Sequence, residues 1–304
     1  MKKTLLTALY ILITFQLSAQ QESQYTQYMY NQMAINPAYA GSQDQTIVFG
    51  QYRTQWIGLD GAPKTANLSI NSPISGKGHG MGISIVNDQI GPTQSTYFDI
   101  NFSYAIELEN FTVLYLGVKA GGSSFEIDYN KLRILTPEIE MSGKLSKFSP
   151  NIGTGIYLQN DKWYAGLSVP HILESKFYDD VRTSIASEKM HFYLHGGYII
   201  ELSENFLFKP AAMFKAVSGS PLAIDVSGNM LYNDKFTFGA AYRLNSSVSA
   251  LVGFKISEQA SIGYAYDYET TNIGNYARGS HEFFIKFNLE PLKKTNVGRN
   301  CWCN

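Results

Sequence analysis

The chain of 304 residues contains 24 basic and 25 acidic residues, which give a formal net charge of −1 at pH 7. This balance argues against a nucleic-acid partner, because such a partner requires clustered Lys and Arg. The two cysteines, Cys301 and Cys303, both lie at the extreme C-terminus, so no disulfide framework organises the fold.

The first twenty residues are arranged as a secretory signal peptide. Lys2 and Lys3 precede an apolar run over residues 5–15, and the small residues Ser18 and Ala19 follow it. This run is shorter than the ~20 residues that a membrane-spanning helix requires, and no later stretch comes near that length. We therefore predict a signal peptide over residues 1–20, and expect that a membrane-inserted mature chain is a β-barrel.

The next segment, residues 21–44, is polar and rich in tyrosine. It includes a turn over residues 36–41 that is punctuated by Pro37 and Gly41. Its composition is too ordered for a simple linker, so we expect it to fold back onto a barrel. The sequence leaves two alternatives open, a plug inside the barrel and a periplasmic arm beneath it.

Fourteen segments have the length and the period-two pattern of β-strands. They cover residues 45–54, 64–71, 79–87, 94–108, 111–123, 147–159, 162–171, 190–202, 206–217, 221–232, 236–244, 248–256, 260–268 and 280–289. We predict an all-β fold, an outer-membrane antiparallel β-barrel of 12–14 strands over residues 45–290. Residues 291–304 then form a periplasmic C-terminal tail.

Alternation is clearest in the last segment. There Phe283, Ile285 and Phe287 share one face, whereas Glu282 and Lys286 share the other. Lipid-facing and lumen-facing residues alternate in this way along the strands of outer-membrane barrels. The apolar face should therefore contact lipid, and the polar face should line a lumen.

The connectors between these segments alternate in length. Short polar turns fall at every second junction, at residues 108–110, 159–161, 203–205, 233–235 and 257–259. Longer stretches lie between them at residues 126–145, 173–189 and 269–278, with short exceptions at 218–220 and 245–247. Short periplasmic turns and long extracellular loops are typical of outer-membrane barrels, and an even strand number places both termini in the periplasm.

Two motifs resemble one known family. The stretch QYTQYMYN over residues 24–31 continues to NPAYAG over residues 36–41, and YRTQWIGLDGAPKT follows over residues 52–65. Both resemble the opening of PorP/SprF family type IX secretion system membrane proteins. Beyond the first hundred residues, the resemblance continues only as general barrel character.

This resemblance implies an outer-membrane protein that supports secretion and cell-surface attachment. The implied partners are a secreted protein that carries a C-terminal sorting domain, such as a gliding adhesin, and other components of the type IX machinery, within outer-membrane lipid. Our candidate partner-binding residues are those of the two motifs: Asn36, Pro37, Tyr39, Arg53, Trp56 and Asp60. A structural alternative is that Arg53 forms an ion pair with Asp60 and pins the first extracellular loop.

The sequence contains no motif that predicts catalysis, a cofactor or a metal. His191 and His195 lie four residues apart, which along a strand is roughly 13 Å, too far to share one zinc ion at about 2 Å from each ligand. Ser280 and His281 are adjacent, so in a strand they point to opposite faces. We therefore expect no enzyme activity. The competing function is an outer-membrane transporter or porin-like channel for small or hydrophobic solutes.

Overall fold

The computed structural model describes residues 24–131, 143–173, 189–218 and 220–291. The predicted signal peptide, Cys301, Cys303 and most of the predicted loops 126–145 and 173–189 lie outside these ranges. Fifteen strand ranges are present: β1 Thr46–Thr54, β2 Lys64–Pro73, β3 Gly80–Ile90, β4 Thr93–Glu107, β5 Val113–Asp128, β6 Lys144–Gln159, β7 Trp163–Val169, β8 His191–Tyr198, β9 Ile200–Ser203, β10 Phe206–Val217, β11 Ala223–Tyr232, β12 Phe236–Arg243, β13 Ser247–Lys255, β14 Ala260–Glu269 and β15 Ser280–Leu289.

The strands form one closed antiparallel barrel. Apart from β8 and β9, each strand pairs with the next in the chain, and β1 pairs with β15 over its whole length. β8 and β9 both pair with β10 and are interrupted only at Ile199, so they form one strand of the wall. The barrel therefore has 14 strands, which confirms the predicted fold. Closure leaves no unpaired backbone at an edge, as a hydrocarbon environment requires.

The wall has an apolar outer face and a polar inner face. In β15, Phe283 and Ile285 point outward and are 51% and 41% exposed, whereas Glu282 is fully buried. The same alternation holds in β4, where Phe98 and Ile100 are exposed and Asp99 is buried. Among the described residues, no helix is long and apolar enough to cross a membrane.

The two ends of the barrel differ in their connectors. One end, here the short-turn end, has connectors at residues 74–79, 108–112, 160–162, 204–205, 233–235 and 256–259, and β1 begins there. Asn110, Asn233 and Asp234 adopt positive φ in these turns, a conformation that Asn and Asp tolerate better than most residues. The other end, the long-loop end, has connectors that include residues 55–63, 129–143, 170–190 and 270–279.

Residues 24–44 lie inside the barrel, and we refer to them as the plug. They form three single-turn 3-10 helices, Tyr28–Tyr30, Gln32–Ala34 and Pro37–Tyr39. Their side chains pack with inward-facing residues of the wall in two clusters, one of which joins Tyr39 to Tyr115, Tyr157 and Tyr164. The core of this protein is therefore built between the plug and the wall.

Candidate functional site

The plug spans the lumen from one end to the other. Its first residues lie in the long-loop half, where Thr26 contacts Asp267 and Glu282. Its last residues lie at the short-turn end, where the Ser42 carbonyl accepts a hydrogen bond of 2.7 Å from Gln159 Nε2. β1 then begins at this same end, so the chain crosses the lumen before it enters the wall.

A buried ion cluster holds the beginning of the plug. Arg53 Nη1 lies 2.6 Å from Asp267 Oδ2 and 2.9 Å from Glu282 Oε2, and all three side chains are almost completely buried. We call Arg53, Asp267 and Glu282 the latch. Barrel closure creates it, because Arg53 in β1 is paired directly with Glu282 in β15, next to β14.

The latch also binds plug backbone. Glu282 accepts hydrogen bonds from the backbone N–H groups of Thr26, at 2.9 Å, and of Gln27, at 2.8 Å. The Thr26 hydroxyl donates to Asp267 at 2.8 Å, and Arg53 donates to that hydroxyl at 3.0 Å. Hydrogen bonds to charged groups contribute about 1.5–3 kcal/mol each. The latch is therefore the strongest polar attachment of the plug to the wall.

The middle of the plug is held by hydrogen bonds and by aromatic packing. Asn36 caps the third 3-10 helix by accepting from Ala38 N, and its Nδ2 donates to the Ile156 carbonyl at 3.0 Å. Ser168 donates to the Ile35 carbonyl at 2.6 Å. Tyr39 packs edge-on against Tyr157, with ring centroids 5.6 Å apart. These contacts attach the plug to β6 and β7.

Two wall glycines allow the plug backbone to touch the barrel. A Cβ atom added to Gly117 in β5 would lie 2.1 Å from Ala38 N, and one added to Gly80 in β3 would lie 2.1 Å from the Ala40 carbonyl oxygen. Real Cβ atoms essentially never approach backbone so closely. A side chain at either position would therefore push the plug away from the wall.

We expect Gly117→Ala to loosen the plug. Overpacking typically costs about 1–3 kcal/mol, so the free energy of unfolding should fall by about that amount. Chymotrypsin should cleave faster after the plug tyrosines. Gly253→Ala is the matched control, because a Cβ at this inward glycine would meet its nearest atoms only at 3.5 Å. Equal cleavage rates in the two variants would contradict the close approach.

At the long-loop end, two connectors form one surface. The Ile57 N–H donates to the Gly279 carbonyl at 3.0 Å, and the Arg278 N–H donates back to the Ile57 carbonyl at 2.8 Å. Trp56 Nε1 donates to Glu269 at 3.2 Å. We call residues 55–63 and 270–279 the loop platform. Tyr276 projects from it and is 76% exposed.

The six sequence-predicted residues fall into two groups. Asn36, Pro37, Tyr39 and Arg53 are buried in the lumen, where they contact the plug and the wall. Trp56 and Asp60 lie in the loop platform, and Asp60 is exposed. Partner binding by these residues stays a prediction.

The proposed ion pair between Arg53 and Asp60 is wrong. The side chain of Arg53 points from β1 into the lumen. It pairs with Asp267 and Glu282 where β1 closes the barrel against β15. Sequence reasoning missed both acidic partners as site residues. The sequence could have indicated them, because the in-and-out alternation of β14 and β15 places Asp267 and Glu282 on the lumen face. A buried carboxylate on that face needs a cation nearby.

The two histidines considered in the sequence analysis also point into the lumen. His191 and His195 both lie on the lumen face of β8, and His195 Nε2 lies 3.4 Å from Asn36 Nδ2. In the part of the chain that the structure describes, no group of three or more His, Cys, Asp or Glu side chains could hold a metal ion. The lumen-facing side chains described above therefore pack against the plug or form ion pairs around it.

A sequence profile described as "Type IX secretion system membrane protein PorP/SprF" matches residues 17–287, which is most of the chain. The chain belongs to the PorP/SprF family. Membership extends over the plug and nearly the whole barrel, so the resemblance noted in the two N-terminal motifs is confirmed. The family makes this protein an outer-membrane component of type IX secretion, and implies secreted cargo and other secretion components as partners. Among curated proteins, none matches the chain in sequence.

Solved structures with a similar fold are outer-membrane barrels. The CymD monoaromatic hydrocarbon channel has a TM-score of 0.52 at 12% identity, over 88% of this chain and 93% of that chain. A FadL homologue of Pseudomonas aeruginosa has a TM-score of 0.49 at 12% identity, over 90% and 96% of the two chains. Omp33 of Acinetobacter baumannii has a TM-score of 0.47 at 11% identity, over 82% and 100%. At such low identity, the likeness concerns the fold alone.

Proposed function

We propose that this PorP/SprF barrel docks a secreted protein at its long-loop end and thereby supports secretion and surface attachment of that protein. The client is a protein with a C-terminal sorting domain, such as a gliding adhesin. The observation that carries the proposal is the plug, which crosses the lumen and is bound to the wall at both ends. A lumen filled in this way favours docking on the outside of the barrel over passage of a polypeptide through it.

The loop platform supports the choice of end. Its two connectors are joined by reciprocal backbone hydrogen bonds, and Gly91 N donates to the Gly61 carbonyl at 2.9 Å, which adds a third connector. A preorganised surface loses little entropy when a partner binds. Tyr276 is an exposed aromatic residue on this surface, and aromatic residues are frequent anchors in interfaces. Trp56 and Asp60 belong to the same surface.

This proposal fixes an orientation. The long-loop end faces the cell exterior, and the short-turn end faces the periplasm, where other secretion components would contact the turns and the C-terminal tail. Short turns on the periplasmic side are the rule for outer-membrane barrels. β1 begins and β15 ends at the short-turn end, which supports this assignment.

The test compares the cell-surface and spent-medium proteomes of a deletion strain with those of its parent, and identifies proteins captured by a tagged barrel. We expect one large sorting-domain protein to disappear from the surface and to be captured by the barrel. An unchanged surface proteome with no captured protein would overturn the proposal.

A matched pair of variants locates the docking end. Tyr276→Asn removes an aromatic side chain that is 76% exposed at the long-loop end, and Phe111→Asn removes one that is 86% exposed at the short-turn end. We expect Tyr276→Asn to weaken client capture about fivefold or more, because truncating an anchoring aromatic typically costs over 1 kcal/mol. Phe111→Asn should leave capture unchanged. The reverse result would place docking at the other end.

A second candidate function is a transporter or porin-like channel for small or hydrophobic solutes. It is favoured by a cavity of about 940 Å³ inside the barrel and by the similarity in fold to CymD, a monoaromatic hydrocarbon channel. Solute passage would require displacement of the plug. Solute uptake that falls in the deletion strain, while the surface proteome stays normal, would favour this function.

A further inference from the structure

The cavity of about 940 Å³ lies at the short-turn end, between the plug and strands β11 to β15 and β1. Its rim is formed by turn residues such as Asp234 and Glu258, and its inner part combines apolar and aromatic residues with polar ones such as Thr237 and Ser261. Tyr30 of the plug covers its deep side and packs on Phe284, with ring centroids 4.8 Å apart. Ile47 and Leu231 also contribute to the apolar lining.

One cation, Lys286, lies inside this cavity, and the described residues offer it no counter-charge. Lys286, two residues beyond Phe284 on the lumen face of β15, lines the cavity and is 9% exposed. Its cross-strand neighbours are Phe49 and Ser261, neither of which carries a charge. Among the described residues, no hydrogen bond or ion pair involves the Lys286 ammonium group. By contrast, the inward residues Arg53, Lys119 and Arg243 each contact a carboxylate.

The charges around Lys286 differ between the inside of the cavity and its rim. A second lysine lies near Lys286 inside the barrel, whereas acidic residues predominate at the rim. Lys209 of β10 is close enough to interact electrostatically with Lys286. At the rim, Lys255 is already paired with Glu258 at 2.6 Å, and its hydrogen bond and charge lower the pKa of Glu258. A largely desolvated ammonium group is costly without a counter-charge. A bound anion would supply one.

We propose that this cavity binds a small amphiphilic carboxylate, with the carboxylate at Lys286 and the apolar body against Phe284, Tyr30 and Leu231. The volume lies within the range of about 300–1,000 Å³ that is typical of ligand sites. A single ammonium group that has no partner among the described residues suits a monoanion. The rim carries Asp44, Asp234, Glu258 and Glu290 against Lys235 and Lys255, so it is acidic on balance and disfavours ligands that carry several negative charges.

Asn288 offers a second polar contact. It lies two residues beyond Lys286 on the same strand face and lines the cavity, and its buried Oδ1 has no hydrogen-bond partner in the part of the chain that the structure describes. An amide can present either oxygen or nitrogen to a ligand. The site therefore has one charged group, one amide and an apolar wall, whether or not the barrel docks a secreted protein.

The test is calorimetric titration of the purified full-length barrel, in a non-ionic detergent, with octanoate, octanol and inorganic phosphate. We expect octanoate to bind about tenfold tighter than octanol, because the carboxylate forms an ion pair with the ammonium group, whereas the octanol hydroxyl can accept a hydrogen bond from it but brings no counter-charge. Phosphate should bind more weakly than octanoate, since it gains nothing from the apolar wall. Equal binding of octanoate and octanol, or tighter binding of phosphate, would overturn the proposal.

Three lysine variants identify the group responsible. Lys286→Met should lower octanoate affinity to the level of octanol, whereas Lys286→Arg should retain most of it. Lys215→Met is the matched control, because Lys215 is another buried inward lysine but does not line the cavity. Wild-type octanoate affinity in Lys286→Met would overturn the assignment. If that variant does not fold, Lys286→Arg and the comparison of octanoate with octanol in the wild-type barrel decide the question.

Discussion

Replacement of Arg53 by methionine is expected to lower the free energy of unfolding by about 3–5 kcal/mol, the typical cost of removing one partner from a buried ion pair. The reason is the charge that remains. Asp267 and Glu282 would stay buried in the lumen with no cation between them. The neutral side chain of methionine fills much of the same volume, so the effect reports the lost charge rather than a cavity.

The Arg53→Met variant should also release the beginning of the plug. The plug tyrosines Tyr25 and Tyr28 are buried in the intact protein, so chymotrypsin can cleave after them only when this segment leaves the wall. Cleavage, mapped by mass spectrometry, should be faster in the variant. Unfolding in guanidinium chloride, followed by tryptophan fluorescence, measures the change in stability.

Lys119→Met is the control for this prediction. Lys119 and Asp99 form another buried lumen ion pair at 3.0 Å, and none of the hydrogen bonds described for it reaches the plug. This variant should also unfold more easily, yet its plug should be cleaved at the wild-type rate under conditions in which the barrel is folded. Adding Asp267→Asn to Arg53→Met should restore part of the stability, because it removes one of the two orphaned charges. Wild-type stability and cleavage in Arg53→Met would refute the latch.

The wall of the barrel could be predicted from the sequence because its signal is local. Each strand carries its own period-two pattern, so the lumen face of β15 is visible in residues 282–288 without knowledge of any other strand. The short turns are equally local, since Asn and Asp supply most of the positive φ angles that they require, with Phe111 as an exception. Strand number then follows by counting, even where β8 and β9 are interrupted.

The latch could not be predicted in the same way. Arg53 and Glu282 are 229 residues apart in the chain and become neighbours only because β1 closes onto β15. Closure and register are global properties, and the nearest acidic residue in sequence, Asp60, was therefore the wrong choice. The alternation of side chains along β1 would have shown that Arg53 points into the lumen. An exposed loop residue is therefore a poor partner for it.

The course of the plug was also beyond pattern analysis. Single-turn 3-10 helices have neither the period of a strand nor a full amphipathic face, so they leave no periodic signal. The sequence did contain one local signal, an asparagine followed by a proline. Asn36 caps the third 3-10 helix, and Pro37 is the first residue of that helix. The need for glycine at wall positions such as Gly117 becomes clear only in the folded protein, where the backbone of the plug contacts the backbone of the wall.

Deletion of residues 24–41 is expected to convert a closed barrel into an ion-conducting one. The wall does not depend on the plug for its backbone pairing, because every strand of the closed sheet is bonded to two others once β8 and β9 are counted as one strand. Its inner face is polar, with buried groups such as Asn67, Asn101 and Asn229, so water can replace the plug. A barrel of 14 strands is wide enough to hold an aqueous channel once its lumen is empty.

The measurement is single-channel recording in planar lipid bilayers, with circular dichroism to show that the shortened barrel keeps its β-structure. The wild-type barrel should carry no steady current, and the deletion variant should conduct continuously. Arg53→Met should lie between them and conduct in brief openings, because the latch is lost while the contacts of Asn36 and Tyr39 remain. A folded deletion variant that stays silent would show that the loops, and not the plug, close the lumen.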